Sequence, residues 1–202
     1  MKPILFSTPM VQAILNTKPG VWPPEPIDPN MPYKSQTRRV IKKKYIEIDG
    51  REVLLSGKPV YEPLGFMTVT GIKRPKYQPG DVLWVRETWG IGIELAGRLI
   101  YKANYVNSNK YPLADGEKWK PSIFMPREAA RMFLEVKSVR IQKLQEMCVA
   151  DCVHEGVQVG NAWTVNAKPA FMKLWDSINK KQIYSWEYNP WVWVYEFMRI
   201  KT

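Results

Sequence analysis

Two hydrophobic periods divide this chain into its elements. In "ILFSTPMVQAILNT", residues 4–17, a short apolar run gives way to helical spacing. Ser7 or Thr8 is the expected N-cap, Pro9 suits a position near the helix start, and Met10, Ile14 and Leu15 share a face that ends near Thr17. A period of two appears at residues 82–89, with Val82, Trp84, Arg86 and Thr88 on one side and Leu83, Val85, Glu87 and Trp89 on the other. Each side is apolar until it meets a charge. That pattern predicts a strand buried on both faces, with Arg86 and Glu87 lining a cleft or paired internally, since unpaired buried ions are costly. "GRLIYKANY" is a further strand. "PREAARMFLEVKSVRIQKL" predicts a turn of helix and then a long strand with Phe133, Glu135, Lys137, Val139 and Ile141 facing one way. Helical spacing returns in "QEMCVADCVHEG", with Gly156 as its C-terminal cap, and in residues 168–181, where Phe171, Leu174, Trp175 and Ile178 form a stripe. The last strand sets Trp191, Trp193, Tyr195 and Phe197 against Val192, Val194, Met198 and Ile200, a two-sided apolar pattern that belongs mid-sheet.

Turn residues connect these elements. Asp49-Gly50 predicts a β-hairpin within a segment of about residues 45–78, and Pro79-Gly80 a turn before the strand that follows. Residues 18–33 hold six of the chain's 17 prolines, which excludes a helix or a central strand and marks an inserted loop. Five to seven strands, two or three helices and no repeated βαβ spacing predict an α+β fold on a mixed, closed sheet. The length of 202 residues fits a single domain, residues 1–202, enlarged by these two insertions.

Charge narrows the function classes. Thirty Lys and Arg against 19 acidic residues give a formal charge of +11, which favours a polyanionic partner over a merely soluble surface. Cys148, Cys152 and the sole histidine, His154, fall short of a zinc set, so no metal or other cofactor is expected and the thiols read as reduced, in a cytoplasmic protein. No stretch approaches about 18 consecutive apolar residues, so no membrane association is expected. The densest cationic run is "KSQTRRVIKKK", residues 34–44. Without a nucleophile motif of the G-x-S-x-G type, Lys, Thr and Glu carry what chemistry there is. Lys34 has neighbouring cations able to lower its pKa, and Thr37 follows three residues on. A solvated basic loop is the commoner outcome for such a run.

The order of "ILFSTPMVQAIL", "KSQTRR", "PGDVLWVRETW", "FLEVKSVRIQKL", a helix ending in "HEGV" and an aromatic last strand resembles the ASCH-domain proteins of the PUA-like superfamily, above all the longer bacteriophage and prophage members. The resemblance runs through nearly the whole chain. The family's G-x-K-x-x-T-x-R pattern matches at Lys34, Thr37 and Arg39, with Pro32 where the glycine usually stands. It implies a PUA-like mixed β-barrel flanked by helices and a role with RNA, more than DNA, or with nucleotides. Two readings follow. In the first, a basic cleft recognises nucleic acid or a modified base, with Arg38, Arg39, Lys42, Lys43, Lys44 and Arg86 positioning the chain and Trp84 or Trp89 stacking on a base if exposed. In the second, the chain hydrolyses N4-acetylcytidine-type nucleosides, with Lys34 and Thr37 matched by motif and Glu135 by its strand context; ribonuclease activity is also known for an ASCH domain. A phage accessory protein that binds a host protein through residues 18–33 is the further alternative.

Overall fold

The computed structural model describes residues 1–41, 45–48, 51–54, 75–92, 98–105, 113, 118–157, 167–179 and 182–201. Among these residues the strands are β1 (Lys2–Leu5), β2 (Gln36–Val40), β3 (Tyr45–Ile48), β4 (Arg51–Leu54), β5 (Val82–Arg86), β6 (Trp89–Ile91), β7 (Leu99–Tyr101), β8 (Phe133–Lys143) and β9 (Trp191–Arg199). The α-helices among the described residues are α1 (Thr8–Leu15), α2 (Val149–His154) and α3 (Ala167–Ile178). The fold is α+β.

Five strands form the main sheet in the order β1-β5-β8-β9-β2, parallel only between β1 and β5. The expected strand over residues 191–200 is found next to the centre, buried on both sides. Tyr195 and Phe197 join Ile4, Phe6, Val11, Ile14, Leu83, Val85, Leu134 and Val136 in one core under α1. Val192 and Val194 join Leu144, Cys152, Phe171 and Trp175 in a second core, under α2 and α3. In α1 the buried set is Val11, Ala13 and Ile14, so the predicted face is rotated and Met10 is left at its margin.

The expected closed sheet is replaced by an open one: among the described residues, β1 and β2 are edges that do not pair. Side chains bridge the gap. Arg39 Nη2 on β2 donates to Leu5 O at the end of β1 at 3.1 Å, and its guanidinium lies over the Phe6 ring. Arg39 thus meets the end of β1 through its side chain and not through strand pairing.

The long strand also departs from simple alternation. Between Val136 and Ser138 the β8–β9 register shifts, so Lys137 is an extra residue in a β-bulge. Beyond the bulge, Val139 and Ile141 pair with Tyr195 and Trp193, whereas Glu135 pairs with Met198 on the opposite face. The expected common face of Phe133, Glu135, Lys137, Val139 and Ile141 is therefore broken at Lys137.

Two other expectations are resolved. Glu87 is buried and its carboxylate is held at 2.8 and 2.9 Å by Arg131 Nε and Nη2, so it serves an internal ion pair rather than a cleft. β3 and β4 pair with Ile48 opposite Arg51, the register of a two-residue hairpin; Asp49, Gly50 and residues 55–74 lie outside the described residues. No helix among the described residues is long and apolar enough to cross a membrane.

Candidate functional site: a buried Lys-Glu-Arg cluster at the free edge of β2

The segment leading into β2 is fastened on two sides. Lys34 N–H donates to Ala13 O in the last turn of α1 at 3.0 Å, and Ser35 N–H donates to His154 O at the end of α2 at 2.9 Å. Thr17 Oγ1 donates to Lys34 O as well. These bonds carry the Lys34 side chain into the interior, where it is 0% exposed. Its Nζ donates to the Glu155 backbone O and to Glu155 Oε2, both at 2.8 Å. Glu155 Oε1 accepts from Arg38 Nη1 at 3.0 Å.

The cluster continues outward. Arg38 Nη2 lies 3.1 Å from Asp151 Oδ2, close enough for charge attraction but too poorly aligned for a hydrogen bond. Asp151 also accepts from Gln36 Nε2 and Arg140, and Arg140 pairs with Glu196. Burial pushes the Asp151 carboxyl up, yet Arg38, the Cys148 N–H, Gln36 and Arg140 together bring it below its usual value. Burial lowers the Lys34 pKa, Glu155 opposes that shift, and Arg39 and Arg38 add to it. Arg38 Nε, fully buried, has no acceptor among the described residues.

A cavity of about 310 Å³ lies against this cluster. Thr37 and Arg39 come to it from the β2 face that packs under α1, and Arg38 and Val40 from the face under α3. Because both faces contribute, the cavity wraps the free edge of the strand. Ser35 O and Ile41 N bond β9, so by antiparallel alternation the main-chain groups of Gln36, Arg38 and Val40 point toward that edge. Glu155 closes one wall; Phe171, Leu174, Trp175 and Ile178 of α3 and Met10 of α1 close the others. The whole stripe expected on α3 thus borders the cavity, with Phe171 and Trp175 also buried in the core and Ile178 exposed at its margin.

The sequence-derived residues scatter unevenly. Lys34, Thr37, Arg38 and Arg39 gather at this edge. Glu135 is on the other face of the sheet from Thr37, two strands away, with its carboxylate 2.7 Å from Lys137 Nζ. Trp84 is only 6% exposed and lies under the Arg86 guanidinium, so it has no open face for stacking. Trp89 is half-buried with Lys120 over its ring. Neither tryptophan nor Arg86 lines the cavity. Lys42, Lys43 and Lys44 lie outside the described residues. The residue that pattern reading missed is Glu155. The available signal was its place beside a helix-ending glycine in "HEGV"; the chain there bridges to Lys34, and the carboxylate faces the segment leading into β2.

Cys152 is buried, its thiol pushed up to about 11 by that burial, and Cys148 is exposed; neither is in a disulfide. Among the described residues, no group of three or more His, Cys, Asp or Glu is placed to hold a metal ion. His154 packs its ring 5.3 Å from that of Tyr33, and burial lowers its pKa from the usual 6.5. As pH falls below 6.5 the unfolded imidazole takes its proton first, so stability is lost until the folded pKa is reached and then levels off. The single histidine makes this measurable by proton NMR titration beside thermal melts: His154→Gln should flatten the acid slope of Tm between pH 7.5 and 5.5. A His154 pKa at or above 6.5 overturns the assignment.

No family model, no curated protein and no solved structure matches the chain, so the meaning of this site rests on its own geometry.

Proposed function

We propose that the cavity at the β2 edge is a recognition pocket for a nucleobase, and that the protein binds nucleic acid or a nucleotide through it. One observation carries the reading: a fully buried arginine with an unmet Nε–H stands at a cavity of about 310 Å³ in a chain of charge +11. That volume is at the small end of ligand sites, where apolar walls and a few convergent polar groups are the rule. Bases offer flat apolar faces and an edge of acceptors and donors. Phe171, Leu174 and Trp175 suit the faces, and Arg38 with the outward main chain of β2 suits the edge. Arg39, half-buried at the same mouth, is the phosphate contact in this reading, and single strands or splayed bases are the accessible form.

Anisotropy of a fluorescein-labelled 12-nucleotide RNA and its DNA counterpart, titrated at several salt concentrations, tests this. Arg39→Glu should weaken binding about tenfold and reduce the salt slope by about 1, the loss of one phosphate contact. An unchanged slope with unchanged affinity sinks the reading. Arg38 is unsuited to the same reversal, because it is committed to Glu155 and Asp151.

A second reading, amide hydrolysis, is favoured by the 2.8 Å contact of Lys34 with Glu155 beside Thr37. Burial favours the neutral lysine amine, which is a base. In this reading a water attacks the acyl carbon, or the Thr37 hydroxyl does so and a water then hydrolyses the acetyl-threonine ester. The nucleophile's proton goes to Lys34, which relays it to Glu155 across their 2.8 Å contact. Glu155 then hands a proton to the departing nitrogen as the C–N bond breaks, and acetate leaves. Glu155 fills the role expected of Glu135. Acetate release from N4-acetylcytidine, abolished in folded Thr37→Val and Glu155→Gln proteins and untouched by Glu135→Gln, is the expected result. No release from acylated cytidine, adenosine or guanosine counts against it.

A further inference from the structure

Behind the first cavity lies a second, of about 500 Å³, which the nucleobase reading leaves unexplained. The two adjoin at Leu174 of α3 and, with α1 opposite, outline a groove. Leu174 lines both; Met10 and Glu155 line the first, while their chain neighbours Pro9 and Gly156 line the second. The far wall is Met31 and Pro32, the end of the proline-rich insertion. This wall is built in place. The buried Asn16 side chain donates to Asp28 O, Met31 O and Pro32 O and accepts from Asp28 N–H, so one amide fixes the end of the insertion to the end of α1.

Among the described residues the lining is apolar except for Gln12 and one cation, the exposed Lys173. Gln12 is already engaged with Ala103 O. Arg39 stands at the first cavity and Lys173 at the second, so cations occur along the groove at two separate places. The first turn of α1, which borders both cavities, contains no acidic residue and adds the positive end of its dipole. Apolar chambers in series with a cation at each match the repeat of a single-stranded polynucleotide, flat rings alternating with phosphates. They match an acidic peptide poorly, because its charges would lie in the chambers.

We infer that the groove binds two consecutive nucleotides of a single strand, the base of one at Arg38 and Glu155 and the flanking nucleotide against the proline-rich insertion, with Lys173 at the phosphate. The inference rests on the first cavity being a nucleobase pocket. It makes an oligonucleotide, rather than a free nucleoside, the ligand the groove selects, and it makes the insertion a wall of the binding site.

Competition against the labelled 12-nucleotide RNA separates the possibilities. The four ribonucleosides, their 5′-monophosphates and the four homodinucleotides (ApA, CpC, GpG, UpU) serve as competitors, with oligoglutamate as an acidic control. The best dinucleotide should compete at least tenfold more strongly than its nucleoside. Lys173→Glu and Ala170→Trp, the latter filling the second cavity alone, should reduce that advantage to threefold or less while nucleoside competition stays within twofold. Circular dichroism melts confirm that both variants fold. Equal competition by nucleoside and dinucleotide overturns the inference and leaves the nucleobase pocket standing. Failure of every nucleoside, nucleotide and RNA to bind overturns both, and oligoglutamate competing as well as the dinucleotide overturns the assignment to nucleic acid.

Discussion

Replacing Glu155 with alanine should destabilise the protein by about 3–5 kcal/mol, the usual cost of stranding a buried charge partner. The carboxylate divides its oxygens between Lys34 Nζ and Arg38 Nη1, and all three side chains are buried. Without it, two cations share a pocket of low polarity. Asp151 is too far out to replace Glu155, since its side chain contacts Arg38, Gln36 and Arg140 and not Lys34. Urea unfolding of the wild type and Glu155→Ala measures the difference. Adding Lys34→Met removes one of the stranded charges, so the double variant should be clearly more stable than the sum of the two single losses requires. A cost below about 1 kcal/mol for Glu155→Ala would mean that water screens the cluster, as it does at surface ion pairs, and the closed site described above would not exist.

Much of the fold was legible because period and turn chemistry act locally. The two-sided strand at residues 191–199, the stripe on α3, the Ser7 start of α1 and the glycine end of α2 all follow from nearest neighbours along the chain. What escaped depends on groups distant in sequence. The bulge at Lys137 adds one residue opposite β9 and so transfers Glu135 to the other face, a change that no alternating pattern announces. Sheet closure was expected from the abundance of strands, yet among the described residues β1 and β2 stay unpaired and only the Arg39 side chain, over the Phe6 ring, reaches Leu5 O. The candidate site was half visible. Lys34, Thr37, Arg38 and Arg39 are close in sequence and stay close in space, whereas the partner carboxylate comes from a residue 121 positions away. Glu135 was matched by the strand context that the resemblance supplies, which says nothing of the partners its carboxylate meets. Glu155 sits next to a capping glycine, and the bridge from Lys34 to Glu155 makes it interior.

Gly156→Ala should be the most damaging single-methyl addition at the site, and Gly80→Ala isolates the reason. Both glycines have positive φ, +77° and +84°, where an L side chain costs about 1–2 kcal/mol. Gly80 holds the tight turn before β5, with Asp81 N–H donating to Gln78 O, and a Cβ there meets nothing within 4 Å. Alanine at position 80 therefore bears the backbone term alone. At Gly156 the added carbon would lie 2.8 Å from Ala13 Cβ and 3.0 Å from Lys34 Cβ. These are the first atoms of short or anchored side chains and cannot swing aside, so α1 or the segment before β2 must move, at about 1–3 kcal/mol for overpacking. Gly156→Ala should accordingly lose about 2–5 kcal/mol in urea unfolding, against about 1–2 for Gly80→Ala. The movement has a functional signature as well. It falls on the Lys34 backbone and on the floor of the groove, so Gly156→Ala should weaken RNA binding under conditions where the variant is fully folded, and Gly80→Ala should leave binding unchanged. Equal stability losses at the two glycines would show that the junction of α1, β2 and α2 is loose enough to absorb a methyl group, and the fixed placement of Lys34 beside Glu155 would fall with it.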